Sequence, residues 1–253
     1  MTEADILARL SPDTPRHVRL FSTLPSTNTT LREWADRGAP HGATVIAEAQ
    51  TEGRGRLGRS FSSPRGAGLY MSMLVREPIP TEALPLLTPY AAVAAARAIE
   101  ALADVTVGIK WVNDLRIGEG KIAGILTEGG FTAEGALSYA VVGIGVNLLP
   151  GVLPSELSGI AAAIGDFTAP PSPAALAAAI LDRFYGGLDT LEGRSFLGEY
   201  RARSVVLGRK VTATVGNTAV FGLATEIADD GALLLETAGG TVALRAGEVS
   251  IKL

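Results

Sequence analysis

The 253-residue chain has no cysteine, and histidine occurs only at His17 and His41. It can therefore form no disulfide, carries no thiolate nucleophile and offers no cysteine-ligated metal; two histidines give no basis for a histidine-rich metal centre. An excess of positive charge is missing as well. With 22 Lys and Arg against 26 Asp and Glu the formal net charge is −4, which argues against a whole surface built to coat nucleic acid or an anionic membrane. Any anion binding must be local. Long apolar runs are also scarce. The uncharged stretch 136–155 approaches the ~20 residues that span a bilayer. It is broken, however, by Gly143, Gly145, Asn147, Pro150, Gly151 and Pro154, and reads as a buried strand running into a loop. The opening MTEADILARL has acids where a secretion signal has basic residues, and no continuous apolar core. The expectation is a cytoplasmic protein without membrane attachment.

What is present is enough apolar residue, 47%, for one large domain or a large and a small one. A short strand is expected over 19–22. A helix over 27–37 follows, ended by Gly38, with Ser26, Thr27 and Asn28 at its start. Strands are expected over 43–50 and 68–75, joined by the loop TEGRGRLGRSF. An Ala-rich helix over 84–102, with only Arg97 and Glu100 charged, reads as mostly buried. Strands over 106–111, 121–128 and 139–148 come next, the first two linked by a turn at Gly118 to Gly120, and then helices over 173–188 and 195–203. From Ser204 on, five short alternating segments separated by glycine-containing turns suggest a small closed β barrel. The expected fold is α+β, with a catalytic-type domain over 1–203 and a small β domain over 204–253.

Two stretches carry chemistry. The loop places Arg54, Arg56 and Arg59 among Gly53, Gly55 and Gly58, and no Asp or Glu occurs from Gly53 to Arg76. Glycines let the backbone bend and turn N–H groups toward a ligand, and guanidinium forks suit phosphates and carboxylates. A solvated Gly-Arg surface loop that binds RNA or nothing would have the same composition. The loop lacks P-loop spacing, and Gly143-Ile-Gly145-Val-Asn-Leu148 lacks the third glycine of a dinucleotide fingerprint. The second stretch, KWVNDLRIGEGK, sets Lys110, Asn113, Asp114 and Lys121 around a hairpin, where two ammonium groups and polar oxygens could meet a phosphorylated ligand and its metal. Taken alone it is equally an exposed hairpin with solvated lysines.

Together STN (Ser26 to Asn28), Gln50 with GRGRLGR, LYMSM (Leu69 to Met73), KWVNDL (Lys110 to Leu115), KIAGIL (Lys121 to Leu126) and GIGVN (Gly143 to Asn147) closely resemble a biotin protein ligase. Both order and spacing match, and the closing GEVSIKL resembles that family's SH3-like domain, so the resemblance spans about residues 20 to 253. It implies a mixed-sheet biotin/lipoate ligase-like domain followed by an SH3-like barrel. It also implies a two-step reaction: biotin's carboxylate attacks the α-phosphorus of ATP to give biotinyl-5'-AMP and pyrophosphate, and the acyl group then passes to a lysine of a biotin carboxyl carrier protein. A carboxylate of reference pKa about 4 is already ionised, so the first step needs charge neutralisation and alignment more than a base.

By resemblance, Ser26, Thr27, Asn28 and Gln50 hold biotin's ureido ring and neighbouring groups. Arg54, Gly55 and Arg56 close over its tail and the acyl-adenylate, and Gly124 joins the biotin site. Arg59 lies near the phosphates. Lys121 binds the carboxylate and bridging phosphate and is the first choice for the catalytic residue, with Arg56, Asp114 and Lys110 beside it. Lys110, Asn113 and Asp114 address phosphates and metal, Asn147 lies near the adenine, and Phe61 borders both nucleotide and biotin. Mg²⁺ comes on the ATP phosphates, with Asp114 a candidate ligand. In the second step Asp114 is either the base for the attacking lysine or an electrostatic or structural group.

The chain departs from the family at Val112, where Pro is usual, and at Phe61, where Trp is usual. Lys252 stands near a position where some relatives carry Arg at the nucleotide site. His41 has no identifiable partner in the sequence and reads as structural. Only about 25 residues precede STN, so the expectation is a homodimeric ligase without sequence-specific DNA binding. The competing readings are a lipoate or octanoate ligase or transferase, a catalytically silent biotin sensor, and an RNA-binding module. Against the last stands a terminal segment whose one aromatic after Ser204 is Phe221.

Overall fold

The structure, a computed structural model, describes residues 1–76, 79–157, 159–216 and 218–251. Lys252 lies outside them, as does Asn217 of one expected turn. A seven-stranded mixed sheet forms the larger part, built from β1 (Val18–Phe21), β2 (Thr44–Ala47), β3 (Gly68–Val75), β4 (Gly108–Lys110), β5 (Asp114–Ile117), β6 (Gly120–Phe131) and β7 (Leu137–Asn147). Their order is β1-β2-β3-β7-β6-β5-β4, with β1 and β2 parallel and every other pair antiparallel. Among the described residues five α-helices accompany the sheet: α1 (Glu3–Leu7), α2 (Thr27–Asp36), α3 (Leu87–Glu100), α4 (Pro173–Tyr185) and α5 (Leu197–Ala202).

The faces of the sheet follow from period-two alternation. On β7, Ala140, Val142, Ile144 and Val146 enter the main core with the buried faces of α3 and α4. Tyr139 and Val141 instead pack with Val45 and Leu74 against Leu31 and Ala35 of α2. Gly143 and Gly145 continue this second face past the end of α2. An added Cβ at Gly143 would lie 2.1 Å from Asn28 Oδ1, and one at Gly145 would lie 2.5 Å from the Phe61 ring. Cross-strand neighbours share a face, so Ser72, Gly143 and Leu126 form one row, and Tyr70, Gly145, Gly124, Asp114 and Lys110 the next. The second row crosses five strands and is glycine at its middle. There the sheet can hold a ligand close to its backbone.

The remaining strands, β8 (Lys210–Val215), β9 (Thr218–Ile227), β10 (Leu233–Thr237), β11 (Gly240–Leu244) and β12 (Glu248–Ile251), form an antiparallel sheet in the order β11-β10-β9-β8-β12. All five expected segments are strands. Among the described residues the ladder runs from edge β11 to edge β12, so the expected closed barrel is open along that seam. Its inner residues, among them Val211, Ala213, Leu233, Leu235 and Val249, belong to the same apolar cluster as the larger sheet's core. The indole N–H of Trp111 donates to Gly231 O at 3.0 Å, and Arg201 Nε donates to Ile227 O at 2.7 Å. Among the described residues no helix is long and apolar enough to cross a membrane.

Several expectations need correction. KWVNDLRIGEGK is two hairpins, because the sequence reading missed β5: Asp114–Ile117 pairs with both β4 and β6. Four residues with only Leu115 fully buried give too short an alternation to identify a strand. The helix expected from residue 84 begins at Leu87 and is preceded by a 3-10 segment over Thr81–Leu86, where Pro85 lacks the N–H that a helix interior needs. The helix expected to reach residue 188 stops at Tyr185, before Gly186 and Gly187. His41 does have partners: its Nδ1 accepts from Arg76 N at 3.2 Å, and its ring meets Tyr185 edge-on.

The end of α3 is fixed by charge. Glu100 Oε1 accepts from Arg203 Nη1 at 2.7 Å and Val107 N at 2.8 Å, and Oε2 accepts from Arg203 Nη2 at 2.8 Å. The hydrogen bonds from Arg203 hold this carboxyl below the ordinary glutamate value of 4.5. A depressed folded-state pKa adds stability that is present above the unfolded value and lost as the pH falls through the folded one. Glu100→Gln should therefore melt below the wild-type chain at pH 7, with the gap closing as the pH drops below 4.5. Thermal melts at pH 7, 5 and 3.5 check this; a constant gap would contradict it.

Candidate active site

The glycine floor opens into a cavity of about 330 Å³. At one end lie Ser26, Thr27 and Asn28, placed by the start of α2, where Ser26 Oγ caps the helix by accepting from Thr29 N. All three are nearly inaccessible, at 2 to 4% exposure. Gln50 completes this end: Oε1 accepts from Thr27 N at 2.8 Å and lies 3.1 Å from Thr27 Oγ1, while Nε2 donates to Ser63 Oγ at 2.8 Å. Ser72, buried behind them on β3, has Oγ 2.6 Å from Asn28 Oδ1 and 2.7 Å from Thr27 Oγ1. An amide oxygen only accepts, so Ser72 commits its one proton to Asn28, and Thr27 has one proton for two acceptors, Ser72 and Gln50. This is an uncharged, hydrogen-bonding pocket one proton short.

The other end is ionic. Lys121 at the start of β6 places Nζ 2.7 Å from Asp114 Oδ1, with both side chains partly exposed to the cavity. Lys110 faces the same pair. Burial pushes its ammonium below the ordinary 10.5, opposed chiefly by the charge of Asp114. Asn113 is locked onto β6: its Nδ2 donates to Ile125 O and its carbonyl accepts from Ile125 N, both at 3.0 Å. The Trp111–Val112 peptide bond is cis, and Tyr200 Oη donates to Val112 O at 3.0 Å. From Lys121 to Leu126, beside Asn28, the rise of β6 is about 17 Å. One cavity thus joins a neutral polar end to a cationic end over bare backbone.

The Gly-Arg loop spans this length, and it is ordered. Gly55 N donates to Arg59 O at 2.7 Å and Phe61 N to Gly53 O at 2.8 Å, with Arg54 and Ser60 bridged as in a hairpin. A single 3-10 turn over Arg56–Gly58 forms its tip, where Leu57 and Gly58 take positive φ. Gly53 permits a close approach, since a Cβ there would lie 2.2 Å from Phe61 O. Each arginine reaches a different acceptor. Arg54 Nη1 lies 3.0 Å from Glu128 Oε1, Arg56 Nη1 donates to Asn113 Oδ1 at 3.1 Å, and Arg59 Nη2 donates to Glu248 Oε2 at 2.5 Å. Burial also works against the charge of Arg56, whose pKa is lowered in spite of Asp114 and Glu248. Phe61 lies on Gly124 and Gly145 and meets Tyr70 edge-on.

Residues 20–147 match the biotin/lipoate A/B protein ligase family, and residues 206–252 match the biotin protein ligase C terminal domain. The chain belongs to the biotin/lipoate A/B protein ligase family. Among family relatives, it is 33% identical over 241 residues to the bifunctional ligase/repressor BirA of Bacillus subtilis, covering 93% of this chain and 74% of that one. To the biotin–[acetyl-CoA-carboxylase] ligase of Mycobacterium tuberculosis it is 32% identical over 243 residues, covering 92% and 88%. The fold is similar to that of the Aquifex aeolicus biotin protein ligase solved in complex with biotin and ATP, with a TM-score of 0.79, 26% identity, and coverage of 93% and 98%.

Of the family positions named from the sequence, all but one of those described line the cavity. The exception is Asn147, which is buried outside the lining, with Nδ2 donating to Ala162 O at 3.0 Å and Oδ1 without a partner among the described residues. The sequence reading missed Ser72, Glu128 and Glu248. Ser72 is the one polar residue between Leu69 and Val75 of a strand buried over that span, a signal that was available. Glu128 gives no local signal, because its partners are distant in sequence.

The lysine pair yields a titration test. Lys110 Nζ should titrate below 10.5, and Asp114→Asn should move it lower still by removing the charge that opposes burial. Nitrogen-detected NMR of the lysine side chains reads both, and an upward move in the variant would break the assignment.

Proposed function

We infer that the chain is a biotin–[acetyl-CoA-carboxylase] ligase, which activates biotin with ATP to biotinyl-5'-AMP and passes the biotinyl group to a lysine of a biotin carboxyl carrier protein. The observation that carries this reading is the single cavity with an uncharged hydrogen-bonding end and a cationic end. A ureido ring has two N–H donors and a carbonyl, and donors are what the Thr27, Ser72 and Gln50 group lacks. Lipoate or octanoate has no such pair of donors and would forgo these bonds, at about 0.5–1.5 kcal/mol each. Biotin's ring then sits by Ser26, Thr27, Asn28 and Gln50, its tail passes beside the Phe61 ring that rests on Gly124 and Gly145, and its carboxylate meets Lys121.

In the first step a carboxylate oxygen attacks the α-phosphorus and pyrophosphate leaves. Lys121 turns from Asp114 to the carboxylate and bridging phosphate, and Arg56 and Lys110 neutralise charge growing on the phosphate oxygens. ATP also reaches Arg54, Arg59, Phe61 and Asn113. Among the described residues no three His, Asp or Glu cluster so as to hold a metal, and Asp114 and Glu248 in the cavity are each paired with a cation. Mg²⁺ would enter on the ATP phosphates as part of the substrate. In the second step the carrier lysine's amine attacks the acyl carbonyl, AMP leaves, and the amine sheds a proton. Asp114, released when Lys121 turns away, is either its acceptor or the group that steadies the lysine's charge. The same proposal divides the chain into a catalytic part over 1–203 and a carboxy-terminal part over 204–253, and makes the ligase a cytoplasmic homodimer.

Pyrophosphate exchange into ATP, measured with Mg²⁺ and biotin, lipoate or octanoate, tests the reading. Exchange is expected with biotin; exchange with lipoate alone would overturn the substrate, and none with any acid would favour a sensor. Gly143→Ala should raise the KM for biotin at least about tenfold, because the new methyl displaces Asn28 Oδ1. An unchanged KM would remove Asn28 from ring recognition.

A further inference from the structure

Followed contact by contact, the loop and the polar pocket form one circuit. Starting in the loop, Arg54 binds Glu128, and Asn28 Nδ2 donates to Glu128 Oε2 at 3.0 Å. Asn28 Oδ1 accepts from Ser72, which contacts Thr27, whose backbone N–H donates to Gln50. Gln50 then donates to Ser63, and Ser63 Oγ donates to Phe61 O at 3.0 Å, back in the loop. Among the described residues Glu128 is the one carboxylate in this circuit. It receives three donors on one carboxylate: Asn28, Arg54 and, at 3.2 Å, Arg32 Nη1 of α2. Its side chain is 16% exposed against 42% for Arg54, and it does not line the cavity.

We propose that Glu128 is a positioning residue that couples the Gly-Arg loop to the pocket for biotin's ring, so that filling the pocket and seating the loop are a single equilibrium. The proposal rests on the function inferred above. Arg54 settles where Glu128 holds its carboxylate, and that carboxylate, together with the Leu126 carbonyl at 3.3 Å, also fixes which way the Asn28 amide faces. A ring that bonds the Asn28 side of the circuit fixes Asn28, and through it Glu128 and the acceptor for Arg54. Conversely, a seated Arg54 holds the pocket in its binding arrangement. Two sites that bias one shared element are thermodynamically coupled in both directions. A plain structural ion pair is the rival account, and Arg32 supplies the control, since it holds the same carboxylate to α2 without touching the loop.

The test is a double-mutant cycle on the full chain. Biotin KM and kcat are read by pyrophosphate exchange, and biotin Kd by calorimetry. Glu128→Gln and Arg54→Ala should each weaken biotin about tenfold, the size expected for losing a charged hydrogen bond, with kcat moving much less in Glu128→Gln. The double variant should be no weaker than either single one, and Arg32→Ala should cost less than both. Factors that multiply in the double variant would overturn the coupling, as would Arg32→Ala matching Arg54→Ala. If Glu128→Gln does not fold, Arg54→Ala decides, because its side chain is largely exposed: an unchanged biotin Kd sinks the proposal. A wild-type chain without biotin-dependent exchange would count against the function instead, and the calorimetric cycle would still decide the coupling.

Discussion

The site depends on three arginines of one short loop being held by three acceptors on different parts of the chain. Glu128 belongs to β6, Asn113 to the turn before β5, and Glu248 to the carboxy-terminal sheet. A loop containing Gly53, Gly55 and Gly58 pays a large conformational entropy to adopt one shape, and its own two hairpin bonds are too few to offset it. The anchors must make up the difference, and all lie at or beside the cavity. They are also replaceable: an anionic ligand in the cavity can take over a guanidinium from an exposed carboxylate at little net cost, because exposed ion pairs contribute only about 0–1 kcal/mol. Of the three, Arg59 and Glu248 are the more exposed and Arg56 the more buried. The loop is thus firmest near its middle and easiest to free at its far end.

The second constraint is steric. Gly143, Gly145 and Gly124 interrupt strands that otherwise carry large apolar residues, and each lies under a side chain that reads or covers the ligand: Asn28 over Gly143, Phe61 over the other two. Packed sheet layers normally stand about 10 Å apart, the gap filled by side chains from both. Removing them lets the start of α2 and the loop come down onto the backbone, leaving a flat channel between them. The same face farther along β7 carries Tyr139 and Val141, where α2 needs a surface to pack on. One strand therefore serves as helix support at one end and ligand floor at the other, and the change from large residues to glycine marks the boundary.

Much of this was legible in the chain. Strand β3, helix α2 with its Gly38 terminus and all five carboxy-terminal strands follow from local pattern, because each is long enough or sharply enough bounded for its period to appear. The charged residues of the site were legible for another reason: Arg54, Arg56, Lys110 and Lys121 lie in two compact clusters. What escaped was either too short, as with β5, or dependent on residues far apart. His41 meets Arg76 and Tyr185 only after α4 folds against the sheet. Glu128 meets Arg54 across 74 positions and Asn28 across 100. Asn147, which its motif puts near a nucleotide, bonds the Ala162 carbonyl 15 positions on, a contact no local pattern announces.

The cationic end raises a problem that the glycine floor helps to resolve. Lys110 and Lys121 repel one another, and burial already disfavours the charge on Lys110. Asp114 lies between them in the sheet register, paired with Lys110 across β4 and with Gly124 across β6. In the free protein it is the counter-ion that lets both lysines remain charged. A ligand bearing phosphates takes over that role, and Asp114 is then the surplus negative charge. The Lys121–Asp114 contact at 2.7 Å is therefore the one with which a phosphate-bearing ligand competes directly. Gly124, having no side chain, lets the Lys121 chain and the Phe61 ring lie close above the strand, within 3.3–3.5 Å of where a Cβ would stand. The residue that steadies the empty site is in this way the one whose partner an anionic ligand takes.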